Sequence, residues 1–152
     1  LHIYLPKSLN DNIPFIVYFS GSGWIIHYDS EHMDPFRSHI PFEYWIERGF
    51  GFISVDYGGT PQYTIDQILK NGIDAYQYVL TNGNTYGLNV SRMVLMGRAE
   101  GGHIATYVGY NVSNANNTNI RGIINIYGFT RWDTIENGEY GMTIDLYNRY
   151  QE

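Results

Sequence analysis

The 152-residue sequence contains no cysteine, few basic residues and no long apolar run. Without cysteine, the chain has no disulfide bond, thiolate metal site or cysteine nucleophile. Nine Lys and Arg against 15 Asp and Glu give a formal net charge of −6. This charge disfavours a nucleic-acid partner, because phosphate binding requires clustered cations. The apolar stretches are of strand length and shorter than the ~18 residues of a membrane-spanning helix, so we expect no membrane span.

The composition is sufficient for a folded core. Hydrophobic residues make up 43% of the chain and charged residues 16%, which is typical of a globular protein and not of a disordered one. No repeat or linker-like stretch divides the sequence, so residues 1–152 are predicted to belong to one domain. The chain begins with Leu1 inside a strand-like run. We therefore expect residues 1–152 to be part of a longer domain.

Short apolar runs alternate along the chain with segments of helical periodicity. The run at residues 15–19 is almost wholly apolar, as in a strand that is buried on both faces of a sheet. Thr64 is suitably placed to cap a following helix. This alternation predicts an α/β fold, a three-layer α/β/α sandwich with a mostly parallel sheet. Strands are predicted at residues 1–5, 15–19, 50–57, 93–96 and 122–127, and helices at 34–48, 65–80, 99–110 and, more weakly, 143–150.

One strand-to-helix turn, residues 97–101, carries chemical information. A G-x-S-x-G turn in this position holds a nucleophilic serine at a strained backbone position above the carboxyl edge of a sheet. Here the glycines are Gly97 and Gly101, followed by Gly102, and the middle residue is Ala99. Two glycines near a strand end can also form an ordinary turn, but the flanking strand and helix favour the nucleophile turn. A methyl group cannot attack a carbonyl, and in another serine hydrolase removal of the serine lowers turnover by about a millionfold.

A second segment, the small-residue loop of residues 20–24, follows the second predicted strand and reads S-G-S-G-W. Small residues allow a backbone to approach a substrate carbonyl closely. Together with the start of the helix after Ala99, this loop is predicted to form an oxyanion hole from the backbone N–H groups of Ser22, Gly23 and Glu100. Trp24 is predicted to line the adjoining pocket. By itself such a loop would more often be a plain connector.

Several motifs in combination support a family resemblance. Residues 20–24 stand where one group of proteins shows H-G-G-G-W, and residues 55–62 read V-D-Y-G-G-T-P-Q where that group shows V-D-Y-R-L-A-P-E. Residues 94–103 read V-L-M-G-R-A-E-G-G-H against V-L-M-G-R-S-A-G-G-H. Residues 121–130 are similar to the sixth strand of the same group. The chain thus resembles the hormone-sensitive-lipase-like and acetyl-xylan/feruloyl-esterase-like branch of the α/β hydrolases.

This resemblance implies an eight-stranded sheet of which the chain lacks the first strand and the last two. It also implies that the catalytic acid and histidine follow the sixth strand, and Asp133, Glu136 and Asp145 lie too early in the sequence to be confident candidates for the acid. No histidine is placed as the base, and His103 is interpreted as a structural residue near the turn. No metal or cofactor is predicted, since the histidines lack ligand spacing. The five histidines are His2, His27, His32, His39 and His103.

Three functions remain open from the sequence. The first is a catalytically inactive hydrolase relative with a binding or structural role, which is favoured because the loop and the 55–62 motif also depart from the family pattern. The second is a carboxylic-ester hydrolase in which alanine replaces the serine. The third is a small-molecule receptor that uses the former substrate cleft, with Trp24, Phe129 and Trp132 as lining residues. The expected partners are a small ester-like ligand or a protein within a larger assembly.

Overall fold

A computed structural model describes residues 1–7, 12–21, 23–24, 41–113 and 119–130. Within these ranges the chain forms five strands and three α-helices, with a 3-10 turn at Gly83–Tyr86 before the fourth strand. In chain order the elements are β1 (His2–Tyr4), β2 (Ile13–Phe19), α1 (Phe42–Ile46), β3 (Gly51–Val55), α2 (Ile65–Asn82), β4 (Leu88–Arg98), α3 (Glu100–Val112) and β5 (Ile120–Ile126).

The strands form a single sheet in the order β1-β3-β2-β4-β5. β1 is antiparallel to β3, whereas the pairs β3–β2, β2–β4 and β4–β5 are parallel. The carboxyl ends of four neighbouring strands therefore meet at one edge of the sheet, which is where open α/β sheets bind their ligands. The predicted α/β fold with a mostly parallel sheet is confirmed.

Helices cover both faces of the sheet. Successive side chains of a strand point to opposite faces, so a single strand contributes to the core on each side. On β2, Phe15, Val17 and Phe19 belong to the larger core with side chains of α2 and α3. Ile16 and Tyr18 belong to a smaller core on the other face, with Phe42 of α1. Continuous apolarity of β2 thus results from burial on both faces, and the three-layer arrangement follows from it.

Most differences from the predicted elements concern their ends. β4 extends from Leu88 to Arg98, beyond the predicted residues 93–96. It pairs with β2 at Leu88, and after a shift of register the pairing resumes at Met93, while the exposed polar residues in between interrupt the apolar run. α1 is confined to Phe42–Ile46, while residues 34–40 of the predicted helix lie outside the described residues. The predicted helix at 143–150 also lies outside them.

Helix α2 begins where the sequence predicts. The Oγ1 of Thr64 accepts a hydrogen bond from the Gln67 N–H at 3.3 Å, and the Gln67 Oε1 accepts one from the Thr64 N–H at 2.9 Å. This reciprocal capping box satisfies two N–H groups at the start of the helix.

Among the helices in the described ranges, none combines the length and apolarity needed to cross a bilayer.

Candidate active site

The turn between β4 and α3 places Ala99 in an unusual backbone conformation. Ala99 has φ 52° and ψ −127° and occupies the N-cap position of α3. Its N–H donates to the Ile126 carbonyl at 2.9 Å, and its own carbonyl accepts from the Gly102 N–H at 2.9 Å. A left-handed φ is costly for a residue with a side chain. The corner is therefore maintained by its surroundings and not by the preference of alanine.

Close backbone packing around the turn requires glycine on both sides of Ala99. A Cβ at Gly97 would lie 1.9 Å from the carbonyl oxygen of Gly101. A Cβ at Gly101 would lie 2.1 Å from the carbonyl oxygen of Phe19, the last residue of β2. At Gly102 it would lie 2.5 Å from the Asn125 Oδ1. These glycines allow α3 to begin directly against the ends of β2 and β5.

The small-residue loop faces the side chain of residue 99. A Cβ at Gly21 would lie 3.0 Å from the Cβ of Ala99 and 2.7 Å from the Arg98 carbonyl oxygen. Gly23 has a φ of 75°, and nothing lies within 4 Å of the position that its Cβ would occupy. Ser22 lies outside the described residues, so its predicted role in an oxyanion hole has no structural account.

Left-handed residues other than glycine collect at this edge of the sheet. Trp24, Ala99 and Tyr127 have φ values of 56°, 52° and 45° and follow the ends of β2, β4 and β5. In the described ranges, Asn12, which precedes β2, is the remaining example. Strained backbone tends to gather at active sites and ligand clamps. Its distribution here supports the carboxyl edge around Ala99 as the candidate site.

The start of α3 contributes hydrogen-bond donors and a favourable dipole. Helix α3 begins at Glu100, and the N–H groups of Gly102 and His103 in its first turn donate to the Ala99 carbonyl at 2.9 and 3.4 Å. The aligned peptide dipoles of the helix give its N-terminus a partial positive charge, which favours a developing oxyanion. The side chain of Glu100 is buried, with 4% of its surface exposed, and its Oε1 lies 3.3 Å from the Tyr57 hydroxyl.

His103 is packed below the turn in an aromatic cluster. Its ring centroid lies 4.6 Å from that of Phe129 and 5.9 Å from that of Trp24. Burial lowers the pKa of His103 to about 4, so the imidazole is neutral at pH 7. This environment agrees with the interpretation of His103 as a structural residue.

Trp24 is fully buried and packs against Phe129 with ring centroids 5.0 Å apart. Its predicted role in lining a pocket remains a prediction, and the burial favours core packing. Trp132, the third aromatic residue of the receptor hypothesis, lies outside the described residues.

In the part of the chain that the structure describes, no group of three or more His, Asp or Glu side chains could hold a metal ion. His2 lies at the start of β1. The three acidic residues considered above and the other three histidines lie outside the described residues: Asp133, Glu136, Asp145, His27, His32 and His39.

Sequence reasoning did not identify the residues that hold the two segments in place. The Tyr57 hydroxyl donates to the Ser20 carbonyl at 2.6 Å. The Thr60 N–H and Oγ1 donate to the Trp24 carbonyl at 2.6 and 2.7 Å. Asn125 accepts a hydrogen bond from the Gly128 N–H at 2.6 Å. Tyr57 and Thr60 lie in the motif at residues 55–62, which was a usable signal, whereas nothing in the sequence distinguishes Asn125.

Comparisons with known proteins agree with this architecture. The BD-FAE family model matches residues 1–147. The isoprenylcysteine alpha-carbonyl methylesterase ICME of Arabidopsis thaliana is 30% identical over 105 residues, which cover 69% of this chain and 23% of that protein. The carboxylesterase NlhH of Mycobacterium tuberculosis is 28% identical over 105 residues, 69% of this chain and 31% of that protein.

Solved structures extend the likeness of the fold to nearly the whole chain. The hyperthermophilic esterase of the archaeon Pyrobaculum calidifontis superposes with a TM-score of 0.74 and 20% identity, over 97% of this chain and 48% of that one. Two fungal esterases from Rhizomucor miehei are represented by a structure with a TM-score of 0.72 and 22% identity, over 95% and 44% of the two chains. The chain spans less than a third of the length of the curated relatives named above.

Proposed function

Because the chain belongs to the BD-FAE family, which is carboxylesterase-like and has the α/β-hydrolase fold, we propose that it binds the carbonyl group of a carboxylic ester without hydrolysing it through residue 99. The position of Ala99 carries this proposal. Its side chain stands at the corner between β4 and α3 and faces Gly21. At this place a hydrolase needs a hydroxyl group with a lone pair, and the alanine methyl group has none.

The surroundings of Ala99 favour retained binding. The Cβ position of Gly21, near the start of the small-residue loop, lies 3.0 Å from the Ala99 side chain, and the N-terminus of α3, which begins at Glu100 directly after Ala99, favours a negatively polarised oxygen. Nothing lies within 4 Å of the Cβ position of Gly23, which leaves room above the backbone there. A ligand carbonyl held there would receive hydrogen bonds but would not form an acyl-enzyme.

The binding proposal can be tested with p-nitrophenyl acetate as the probe. Because the full-length protein is expected not to consume this ester above the buffer rate, saturation-transfer NMR can detect its bound acetyl methyl group. We expect transfer in the natural protein and its loss in Gly21→Ala, whose methyl group would crowd Ala99. Gly122→Ala is the matched control, since nothing lies within 4 Å of its Cβ position. Hydrolysis well above the buffer rate by the natural protein would refute the proposal.

The conformation of the turn favours a second candidate, an ester hydrolase in which serine belongs at position 99. The strained φ and ψ of Ala99 are those that a nucleophile turn demands. In this case a serine at position 99 would need no rearrangement of the backbone to point at the small-residue loop.

The two candidates differ in their response to Ala99→Ser in the full-length protein. If the remaining machinery is intact, we expect p-nitrophenyl acetate hydrolysis to rise by at least about a thousandfold, with a burst of p-nitrophenol from acylation. If the whole site has diverged, the rate stays at the buffer level. Ala75→Ser, on α2 and outside the site, is the control for a serine elsewhere and leaves the rate unchanged under either hypothesis.

A further inference from the structure

One buried hydroxyl group connects the segments that form the candidate site. The Tyr57 Oη lies 2.6 Å from the Ser20 carbonyl oxygen and 3.3 Å from the Glu100 Oε1. Tyr57, Ser20 and Glu100 are 2%, 6% and 4% exposed. The contacts therefore join the ends of β2 and β3 to the first residue of α3 in an environment where hydrogen bonds are electrostatically strong.

Glu100 is an unexpected residue at this place. The family pattern that the sequence resembles has alanine directly after the nucleophile, whereas this chain has a carboxyl group. A buried carboxyl group is costly unless it is hydrogen-bonded, and the Tyr57 hydroxyl is one of its partners. Glu100 directly follows Ala99 in the chain, so a contact made by its side chain is made next to the middle residue of the turn.

We propose that Glu100 and Tyr57 are a positioning pair that sets the distance between the small-residue loop and Ala99. Tyr57 has a single phenolic proton, which it donates in a three-centre arrangement, strongly to the Ser20 carbonyl oxygen at 2.6 Å and more weakly to the Glu100 Oε1 at 3.3 Å. By accepting this second, longer hydrogen bond, Glu100 keeps the phenol oxygen within reach of Ser20. The Ser20 end of the loop is thereby held at a fixed position relative to the start of α3. This inference rests on the proposed function, because the position of the loop determines where a ligand carbonyl can bind.

The other end of the loop is held independently of this pair. The Thr60 N–H and Oγ1 both donate to the Trp24 carbonyl. Loss of Glu100 or Tyr57 should therefore loosen the Ser20 end first and leave the Trp24 end attached. This asymmetry is specific to the pair, since general destabilisation would loosen both ends together.

Amide hydrogen exchange measured by NMR in the full-length protein tests the pair directly. We expect Tyr57→Phe and Glu100→Ala to raise the exchange rate of the Gly21 amide by several-fold to about tenfold, the effect of one lost hydrogen bond. The Trp24 amide should change less. Glu100→Gln keeps a side-chain oxygen for the phenol and should behave as the natural protein does. Tyr76→Phe, which removes another buried tyrosine hydroxyl on α2, is the matched control.

Coupling between the two residues gives a second criterion. If they act through one connection, Tyr57→Phe combined with Glu100→Ala should raise the Gly21 exchange rate little more than either change alone. The proposal is overturned if Gly21 exchange in both single variants matches that in Tyr76→Phe. It is equally overturned if Glu100→Gln loosens the loop as much as Glu100→Ala does.

Ligand binding separates this proposal from the proposed function. The loosened variants should bind p-nitrophenyl acetate several-fold more weakly, and Glu100→Gln should retain the natural affinity. If the natural protein fails to bind the ester, the carbonyl-binding function is wrong, but the exchange rates still decide whether Glu100 and Tyr57 position the loop. Should Tyr57→Phe increase exchange throughout α2 and α3, the comparison of Glu100→Ala with Glu100→Gln decides.

Discussion

At the scale of single residues, the candidate site is defined by backbone conformation as much as by side chains. Ala99 adopts a φ of 52° that glycine would accept more readily. Gly97, Gly101 and Gly102 occupy positions where a Cβ would collide with backbone or side-chain atoms. The turn thus has glycine where space is absent and a residue with a side chain where the conformation is strained.

The strain at Ala99 predicts that Ala99→Gly stabilises the protein. Release of this strained backbone conformation gains about 1–3 kcal/mol, and the greater conformational freedom of glycine in the unfolded chain offsets about 0.5–1 kcal/mol of that gain. We expect a net gain of about 1 kcal/mol in the free energy of unfolding, measured by urea denaturation. Ala105→Gly, at a buried position inside α3, should instead lose about 1 kcal/mol or more. A loss in both variants would show that Ala99 is not strained.

The close approach of α3 to β2 predicts that Gly101→Ala is severely destabilising. The added Cβ would meet the Phe19 and Ser20 carbonyl oxygens at 2.1 and 2.5 Å, and backbone atoms cannot yield as a flexible side chain can. We expect a loss of at least about 3 kcal/mol in thermal or urea unfolding. Gly122→Ala, in open space on β5, should change stability by less than about 1 kcal/mol. Equal effects of the two substitutions would contradict the packing described for the turn.

At the scale of elements, α2 and α3 begin in different ways. α2 starts with a side-chain capping box formed by Thr64 and Gln67. α3 starts after Ala99, which provides no side-chain cap, and the Gly102 N–H in its first turn donates instead to the Ala99 carbonyl at 2.9 Å. This contrast fits a structural role for the start of α2 and a binding role for the start of α3.

The capping box predicts a measurable contribution from Thr64. Thr64→Ala removes the acceptor for the Gln67 N–H and should lower the free energy of unfolding by about 1 kcal/mol. Thr64→Ser retains a hydroxyl acceptor and should stay within a few tenths of a kcal/mol of the natural protein. The urea midpoints of the two variants provide the measurement, and coincident midpoints would exclude a role for the cap.

At the scale of the whole molecule, burial of His103 couples stability to pH. The pKa of His103 is about 4 in the folded protein and close to 6.5 when the chain is unfolded. Below pH 6.5 the unfolded state therefore binds a proton that the folded state does not. Stability should fall as the pH decreases from about 6.5 to 4, by up to about 3 kcal/mol, and His103 should add no further loss below pH 4.

Urea unfolding at a series of pH values, with the His103→Gln variant beside the natural protein, isolates this effect. Glutamine does not titrate, so the difference in stability between the two proteins should narrow as the pH falls from 6.5 to 4. A difference that stays constant over this range would mean that His103 is protonated equally in both states. Such a result would contradict its burial in the aromatic cluster with Trp24 and Phe129.

The sequence by itself determined the order of the elements and the location of the two site segments. A strand that is buried on both faces, such as residues 15–19, has a continuous apolar run, and a helix cap such as Thr64 involves only the next three or four residues. Both features can therefore be recognised from a short stretch of sequence. The turn around Ala99 was predictable for the same reason, because glycine spacing reports local backbone geometry. The extent of β4 was not predictable, because its pairing with β2 shifts register between Leu88 and Met93 and the polar residues in between provide no apolar run that would indicate a strand.

Only the tertiary structure decided how these segments are held against each other. The contacts of Tyr57 with Ser20 and Glu100 join residues 37 and 43 positions apart, and Thr60 reaches Trp24 across 36 positions. Hydrogen bonds over such separations depend on the order and register of the strands, which no local pattern encodes. The antiparallel pairing of β1 and the burial of His103 were decided in the same way, by which strands and side chains the complete sheet brings together.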